Sequence, residues 1–339
     1  MRGQNYDSSK AQNGPVRSLS EIKSKSVVII PCRNEEKTIR ALIDDVLTYL
    51  PAVMVVDNGS SDSTAALAQS AGAMIIRDPD PAGKGQALRL GLEHACRQGY
   101  AYALTMDGDG QHRASDIPKF LALLAEGDVD LIIGDRFGQS AKMPWLRRQV
   151  NHCMTRLLSH LVCQSLPDSQ CGFRCISLAA FQSLSLHTRF FEFESELLVR
   201  AAQGGWRIRS VPIEVVYRSE KSRIAPLQDT LRWLRWLLRE IILLQDLTTN
   251  RGATHIDHVL PAGTFGGKSM KRICIAVMGG TVLLIGIAMI LLPGPAILVV
   301  PAGLAILATE FVWARNCLGK VQNYANKIRP SRKPPMDKD

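Results

Sequence analysis

Between residues 27 and 135, short runs of β-branched and aliphatic side chains alternate with longer stretches whose apolar positions recur every third or fourth residue. Val27-Val28-Ile29-Ile30 is a run of the first kind, ending at Pro31. Unbroken apolar character over so few residues marks a strand buried on both faces. A helical pattern follows from Glu35 to Leu50, then a strand from Val53 to Val56 that ends at Asp57. The alternation continues with a helix from Ser63 to Gly72, a strand from Ala73 to Arg77, and a helix from Gly85 to Gly99. It closes with a strand from Tyr102 to Met106 ending at Asp107, a helix from Ile117 to Glu126, and a strand from Asp130 to Gly134. Strand–helix units of this length predict an α/β fold with a mainly parallel sheet and helices on both faces. Ligands of such sheets bind outside the carboxyl ends of the strands, where Asp57 and Asp107 fall.

A second pattern occupies the C-terminal region. From Ile273 to Thr309 there are 37 residues without Asp, Glu, Lys, Arg or His. One membrane pass needs about 20 residues, and Pro293-Gly294-Pro295 interrupts the segment with a turn signal. The pattern predicts a transmembrane hairpin, 272–292 and 296–314. Lys271, Arg272, Arg315 and Lys320 flank it and put both ends on the cytoplasmic side. Pro301 and Glu310 weaken the second leg, so a re-entrant half-span or a buried helical hairpin are the alternatives. Upstream, Arg232, Arg235 and Arg239 form one helical stripe among Trp233, Leu234, Trp236 and Leu237. That composition suits an amphipathic helix in the membrane interface, or else a helix packed on the domain. Residues 1–25 are polar and lack the apolar core of a signal peptide, which predicts a disordered tail and a body in the cytoplasm.

Charge sharpens this division. The chain carries 41 Lys+Arg against 31 Asp+Glu, a net of +10. Residues 1–25 hold +3 and residues 315–339 hold +5, which leaves +2 for everything between. A basic footprint across the folded body is missing, and nucleic-acid binding is excluded as the reading. Basic tails beside an apolar hairpin fit adhesion to an anionic inner leaflet. The eight cysteines are too sparse for a disulfide scaffold, and His152, Cys153, His160 and Cys163 lack a second pair that would make a zinc site.

The chemistry concentrates after the fourth strand of the alternation. Thr105-Met106-Asp107-Gly108-Asp109-Gly110-Gln111-His112 sets two carboxylates one residue apart, and extended residues i and i+2 point the same way. Two carboxylates together with diphosphate oxygens suit Mg²⁺ or Mn²⁺, hard cations that take oxygen ligands; alone, the motif reads equally as a turn. No GxGxxG follows the first strand and no GxxxxGK[ST] phosphate loop occurs, which argues against a dinucleotide-binding dehydrogenase and a P-loop enzyme.

Six pieces in order carry a resemblance. They are Val27-Val28-Ile29-Ile30-Pro31-Cys32-Arg33-Asn34-Glu35-Glu36, Val55-Val56-Asp57-Asn58-Gly59-Ser60-Ser61-Asp62-Ser63-Thr64, Gly83-Lys84-Gly85, Met106-Asp107-Gly108-Asp109-Gly110-Gln111-His112, Ile133-Gly134-Asp135-Arg136-Phe137 and Asp168-Ser169-Gln170-Cys171-Gly172-Phe173-Arg174. Over residues 26–225 the chain resembles the family 2 glycosyltransferases of GT-A fold, in their dolichol-phosphate-mannose-synthase-like branch. The resemblance implies that Asp57 holds the base or ribose of a UDP- or GDP-linked sugar, with Pro31, Asn34 and Glu35 lining that pocket. It implies Lys84 on the nucleotide, and Asp107, Asp109 and Gln111 on the metal. Asp62 reads rather as a helix cap. Ala114 stands where family members often carry proline, which touches the start of the following helix. Leu292-Pro293-Gly294-Pro295, with Trp313-Ala314-Arg315 downstream, is similar in part to the small bacterial membrane domain named for Pro-Gly-Pro-Gly-Trp.

The acceptor follows from acid–base chemistry. A hydroxyl acceptor needs a general base, whereas a phosphate is already an anion at neutral pH. In the lipid-phosphate branch, basic residues cradle that phosphate. Arg136 and Arg147 are the leading candidates, with Arg148, Lys221 and Arg223 behind them and Arg147 and Arg148 preceding a helix over 149–162. A hydroxyl acceptor makes Asp168, Glu192 or Glu194 the base. The expected organisation is a tail over 1–25, a GT-A domain over 26–225, an interfacial helix over 226–247, a linker over 248–270, a transmembrane hairpin over 271–318 and a basic tail over 319–339. The expected activity is metal-dependent, inverting transfer from a nucleotide-diphosphate sugar to a polyprenyl (undecaprenyl) phosphate at the inner membrane. A glycolipid or saccharide hydroxyl acceptor is the alternative, and a non-catalytic, membrane-tethered nucleotide-sugar binder is a third reading. A homo-oligomer is left open.

Overall fold

A computed structural model of the protein describes residues 18–81, 83–138, 143, 145–162, 164–216, 229, 232–240 and 243, and of residues 146 and 147 the backbone. Residues 1–17, the linker, the hairpin, the basic tail, Lys221 and Arg223 lie outside the described residues. The chain forms two units, Met1–Trp233 and Leu234–Asp339.

Within the first unit the strands are β1 (Ser26–Cys32), β2 (Val53–Asp57), β3 (Met74–Arg77), β4 (Tyr102–Thr105), β5 (Leu131–Asp135), β6 (Arg174–Ser177) and β7 (Ile208–Pro212). They form one sheet in the order β3-β2-β1-β4-β6-β5-β7. β3, β2, β1 and β4 pair in parallel, as do β5 and β7. β6 runs against both of its neighbours. The mainly parallel α/β sheet expected from the sequence is therefore present. β6 and β7 are additions, at positions where no strand was expected.

The helices follow the apolar periodicity. In α2 (Ile39–Leu47) the buried side chains are Ile39, Leu42, Ile43 and Val46, one stripe of a 3.6-residue repeat. In α4 (Lys84–Arg97) the buried stripe includes Gly85, Ala87, Leu88, Gly91, Leu92 and Ala95. A Cβ on Gly91 would come within 2.6 Å of Ile29, so this glycine sets how closely α4 lies on the sheet. α5 (Ile117–Ala125) buries Phe120, which stacks on Phe173 at 4.4 Å between ring centroids. Val28, Ile29, Ile30, Val55 and Val56 are wholly buried at the centre. Each such side chain contributes about 1.5–3 kcal/mol.

Three expectations need correction. The tail expected over 1–25 contains a helix, α1 (Leu19–Ser24), with Ser18 accepting from the Glu21 amide at 3.2 Å and Ile22 buried. Ser18-Leu19-Ser20-Glu21 has the spacing of a capping box, the signal that composition hid. α2 begins at Ile39 rather than Glu35. Asn34 adopts a left-handed φ of 56°, and the Glu35 amide is taken by Thr64 Oγ1 at 2.7 Å, so the first expected turn belongs to a loop. α6 (Trp145–Leu161) starts early enough that Arg147 and Arg148 sit in its first turn instead of before it. The sequence pattern also places an interfacial helix over 226–247, with a helix packed on the domain as its alternative. The Trp233 indole is buried and donates to Ser195 Oγ at 3.0 Å, and Arg232 lies 4.1 Å over the Phe190 ring. Those two side chains are held by protein. In the second unit, residues 234–240 are helical, with Leu234, Trp236 and Leu237 buried and Arg235 and Arg239 exposed. Ala114, at the expected proline position, opens a 3-10 turn (Ala114–Asp116) that leads into α5. Among the described residues, no helix is long and apolar enough to cross a membrane.

Candidate active site

The carboxyl ends of β1, β2 and β4 lie side by side, since β1 is flanked by the other two strands and Cys32 is in register with Asp57. Their loops are stitched together. Asn34 donates its amide to Ser60 Oγ at 3.0 Å, and its side-chain oxygen accepts from the Ser61 amide at 2.8 Å. Thr38 Oγ1 donates to the Gly108 carbonyl at 2.7 Å, tying the loop after β1 to the one after β4. A Cβ on Gly108 would come to 2.7 Å from Cys32 Sγ, so glycine permits this approach.

Asp57 is 8% exposed, and its Oδ1 accepts from the Ser60 amide at 2.9 Å. Its backbone carbonyl accepts from the Asp78 amide at 3.0 Å. Nearby, Asn58 Oδ1 and Asp78 Oδ2 are buried acceptors with no hydrogen-bond partner among the described residues. Buried acceptors left unmatched are rare in finished structures. An edge rich in acceptors suits the N–H and O–H groups of a nucleoside. Asp62, expected as a cap, accepts from the Thr64 amide at 3.0 Å and from its hydroxyl, at the first residue of α3 (Thr64–Ser70).

Lys84 opens α4, and its ammonium bridges Asp107 Oδ1 at 2.6 Å and Glu194 Oε1 at 2.9 Å. After the short α7 (Leu178–Phe181), Glu194 lies in the first turn of α8 (Phe193–Gln203). Burial acts to raise the Asp107 carboxyl, but the Lys84 ammonium, followed by His112, holds it down at about 2. Asp109 moves upward, through burial and then through the Asp107 charge. Its Oδ1 accepts from the Gln111 amide at 3.0 Å. Burial lowers the His112 pKa against the pull of both carboxylates, and His112 Nδ1 accepts from the Asp107 amide at 3.4 Å. Among the described residues no three His, Cys, Asp or Glu side chains form a ligand cage. Asp107 and Asp109 instead offer hard oxygen donors whose mutual repulsion a divalent cation would relieve. The donor set fits Mg²⁺ or Mn²⁺.

The other half of the sheet supplies a wall. Thr105 Oγ1 donates to the Gly172 carbonyl at 2.7 Å. A Cβ on Gly172 would stand 3.0 Å from both Asp107 oxygens, so this residue lets backbone lie against the carboxylate. Arg174 is buried and donates to the carbonyls of Cys171, Ser169 and Glu194, each at 2.8 Å, which fixes the loop before β6 and the start of α8. Sequence reasoning saw the Asp168–Arg174 motif but not this role, which depends on three carbonyls converging in space.

Arg136, an expected acceptor-binding residue, is 7% exposed and forms a two-point ion pair with Asp168, which is fully buried. Its charge nevertheless reaches Asp107 and His112. Arg148 lies on α6 with its side chain half-buried, and the side chain of Arg147 is outside the described residues. Pro31 is the penultimate residue of β1 and Glu35 lies in the loop beyond. The structure thus brings Pro31, Asn34, Glu35 and Asp57 to one edge, and Lys84, Asp107 and Asp109 to the neighbouring strand end.

Comparison with known proteins places this arrangement. The family described as Glycosyl transferase family 2 matches residues 27–185. A second family, described as "Putative transmembrane protein (PGPGW)", matches residues 272–324. Glycosyltransferase AglJ of Haloferax volcanii is 33% identical over 207 residues, covering 60% of this chain and 67% of that protein. Polyprenol monophosphomannose synthase of Mycolicibacterium smegmatis is 28% identical over 211 residues, covering 57% of this chain and 78% of that protein. Glucosyl-3-phosphoglycerate synthase of Mycobacterium tuberculosis, solved with Mn²⁺, UDP and phosphoglyceric acid, superposes with a TM-score of 0.52 at 20% identity, covering 68% of this chain and 84% of that one, and so shares the fold. The matched stretch includes the carboxyl ends of β1, β2 and β4 with the paired aspartates, and the chain belongs to glycosyl transferase family 2.

Proposed function

We propose that this glycosyltransferase moves a sugar from a nucleotide-diphosphate donor to a polyprenyl phosphate at the cytoplasmic face of a membrane, with inversion at the anomeric carbon. The observation that carries the acceptor is the fate of the base candidates. Asp168 is buried in its pair with Arg136, and Glu194 is paired with Lys84. A phosphate acceptor needs neither as a base, because it already bears the attacking oxygen as an anion. The relative named polyprenol monophosphomannose synthase supports the same acceptor class.

In this reading Asp57, Asn58 and Asp78 take the nucleoside, and Pro31, Asn34 and Glu35 shape its edge. Asp107 and Asp109, with Gln111, would hold a divalent cation, whose charge would offset that of the departing diphosphate. Lys84 adds a positive charge on the same side. The acceptor oxygen bonds to the anomeric carbon as the bond from that carbon to the diphosphate breaks. Arg136 supplies a fixed positive field, and Arg147, with Arg148, Lys221 and Arg223, draws the acceptor phosphate. The family match over 272–324 supports membrane attachment, and the basic flanks of that segment favour an inner membrane with the catalytic domain in the cytoplasm.

Glu192 favours a second reading. Its side chain is buried, which raises its pKa, and a hydroxyl acceptor would use it as the base. The two readings separate when membranes containing the protein are incubated with labelled nucleotide sugars and undecaprenyl phosphate. Lipid-linked label released by mild acid supports the phosphate acceptor, and an acid-stable product refutes it. Alanine at both Asp107 and Asp109 should abolish donor turnover; turnover that survives sinks the metal site.

A further inference from the structure

We propose that Lys84 competes with the divalent cation for Asp107 and that Glu194 is the second seat to which its ammonium moves, so that the three side chains make metal binding depend on the nucleotide. The inference rests on the reading of Asp107 and Asp109 as the cation site and adds to it an order of events.

The geometry makes the exchange necessary. Lys84 Nζ is 2.6 Å from Asp107 Oδ1. A Mg²⁺ or Mn²⁺ ion lies about 2.0–2.2 Å from a carboxylate oxygen. Two positive charges on one half-buried carboxylate therefore repel strongly, where water screens little. Retreat is restricted, because the Gly172 backbone lies against the group: a Cβ there would be 3.0 Å from the Asp107 oxygens and 3.1 Å from Nζ. Glu194 stands on another side, already 2.9 Å from Nζ.

The second seat is held by backbone rather than by chance. Arg174 donates to the Glu194 carbonyl at 2.8 Å, fixing the first turn of α8. The first turn of α4 packs directly on the same region, since a Cβ on Gly85 would come within 2.5 Å of Phe193 Cβ. Gln86 donates its amide to the Arg189 carbonyl at 2.8 Å, adding a tie between the same segments. Lys84 and Glu194 are thus presented by two helix starts held at fixed spacing, while the four-carbon stem of lysine lets the ammonium move between carboxylates. A cation arriving alone must displace the ammonium from Asp107. A cation arriving with a diphosphate brings negative oxygens that the ammonium can contact in exchange.

The test uses the full-length chain in detergent, with binding of Mn²⁺ followed by the electron paramagnetic resonance signal of the free ion, alone and with UDP or GDP. Lys84→Met is expected to tighten Mn²⁺ binding without nucleotide by about tenfold and to shrink the gain that nucleotide gives. Glu194→Gln is expected to weaken Mn²⁺ binding without nucleotide by about threefold, with Glu194→Asp restoring part of it. In the Lys84→Met background the Glu194→Gln effect should vanish, because no ammonium remains to be seated. Lys84→Gln gives a second uncharged variant if Lys84→Met does not fold. Unchanged or weaker Mn²⁺ binding in both uncharged variants overturns the exchange, as does a Glu194→Gln effect that persists without Lys84. Asp107→Asn separates the layers: loss of Mn²⁺ binding there keeps the cation site standing whatever Lys84 does, whereas undiminished binding removes the site and the exchange with it.

Discussion

Arg136 and Asp168 meet side by side, Nη2 donating to Oδ1 at 2.8 Å and Nε to Oδ2, with the carboxylate shut off from solvent. The pair joins the end of β5 to the loop that leads into β6. Removing one partner of such a pair leaves the other charge stranded, a loss of about 3–5 kcal/mol. Asp168→Ala should show that loss in chemical denaturation. Arg136→Lys should recover little, because a point charge cannot satisfy both oxygens. Arg136→Met combined with Asp168→Leu should be less damaging than either single change; a double variant as unstable as the sum would contradict the pairing.

Stability and activity should separate at the paired aspartates. Asp109 is held in a site where burial and the Asp107 charge oppose its ionisation. Asp109→Asn should therefore raise the melting temperature at neutral pH while donor turnover is lost. Asp107→Asn should do the reverse to stability, since Lys84 loses its nearer partner, at a cost of about 1–3 kcal/mol. Equal shifts in one direction would count against this division.

The pH dependence carries a sign. Asp107 titrates at about 2 in the fold, against about 3.9 for an unfolded Asp. A carboxyl depressed by folding stabilises above its unfolded value, and that contribution is lost as pH falls through the window toward the folded value. Asp109 acts oppositely: its raised value favours the fold at low pH, and this is lost as pH rises. The stability gap between the wild-type chain and Asp107→Asn, measured by urea titration, should be full near neutrality and close between about pH 4 and 2. A gap that stays constant to the acid end would refute the assignment.

Gly85 should resist substitution for a steric reason. A Cβ there would come within 2.5 Å of Phe193 Cβ and also press on the Phe190 carbonyl oxygen. Gly85→Ala should destabilise by about 1–3 kcal/mol and displace Lys84 from its two carboxylates. Steady-state kinetics should then show the KM for the nucleotide sugar rising more than kcat falls. A fall in kcat alone would mean that Lys84 is not displaced.

The half of the sheet formed by β3, β2, β1 and β4 was legible because its signals are local. β1, β2 and β4 are short, mostly apolar runs; Asp57 closes β2, and Asp107 and Asp109 follow β4 by two and four residues. The other half depends on pairing at a distance. β6 is a four-residue strand, Arg174–Ser177, whose register with β4 no local periodicity specifies. Arg174 looked like part of a motif, and its task became visible only once three carbonyls surrounded it. Glu194 read as a base, but its tie to Lys84 connects two helix starts far apart in sequence. Arg136 carried the right charge at a strand end, yet sequence could not show that Asp168 holds it.

The insertion of β6 between β4 and β5 also sets a timetable for synthesis. Thr105 bonds to Gly172, 67 residues downstream. At about 5–20 residues per second, the ribosome takes roughly 3–13 s to cover that interval. Throughout it, β4 of the nascent chain has β1 on one side and an unpaired edge on the other, a row of backbone donors and acceptors that invites foreign strands. The parallel half of the sheet can therefore be nearly complete while the wall beside the paired aspartates is still being translated, and this interval is when a chaperone would have most to protect.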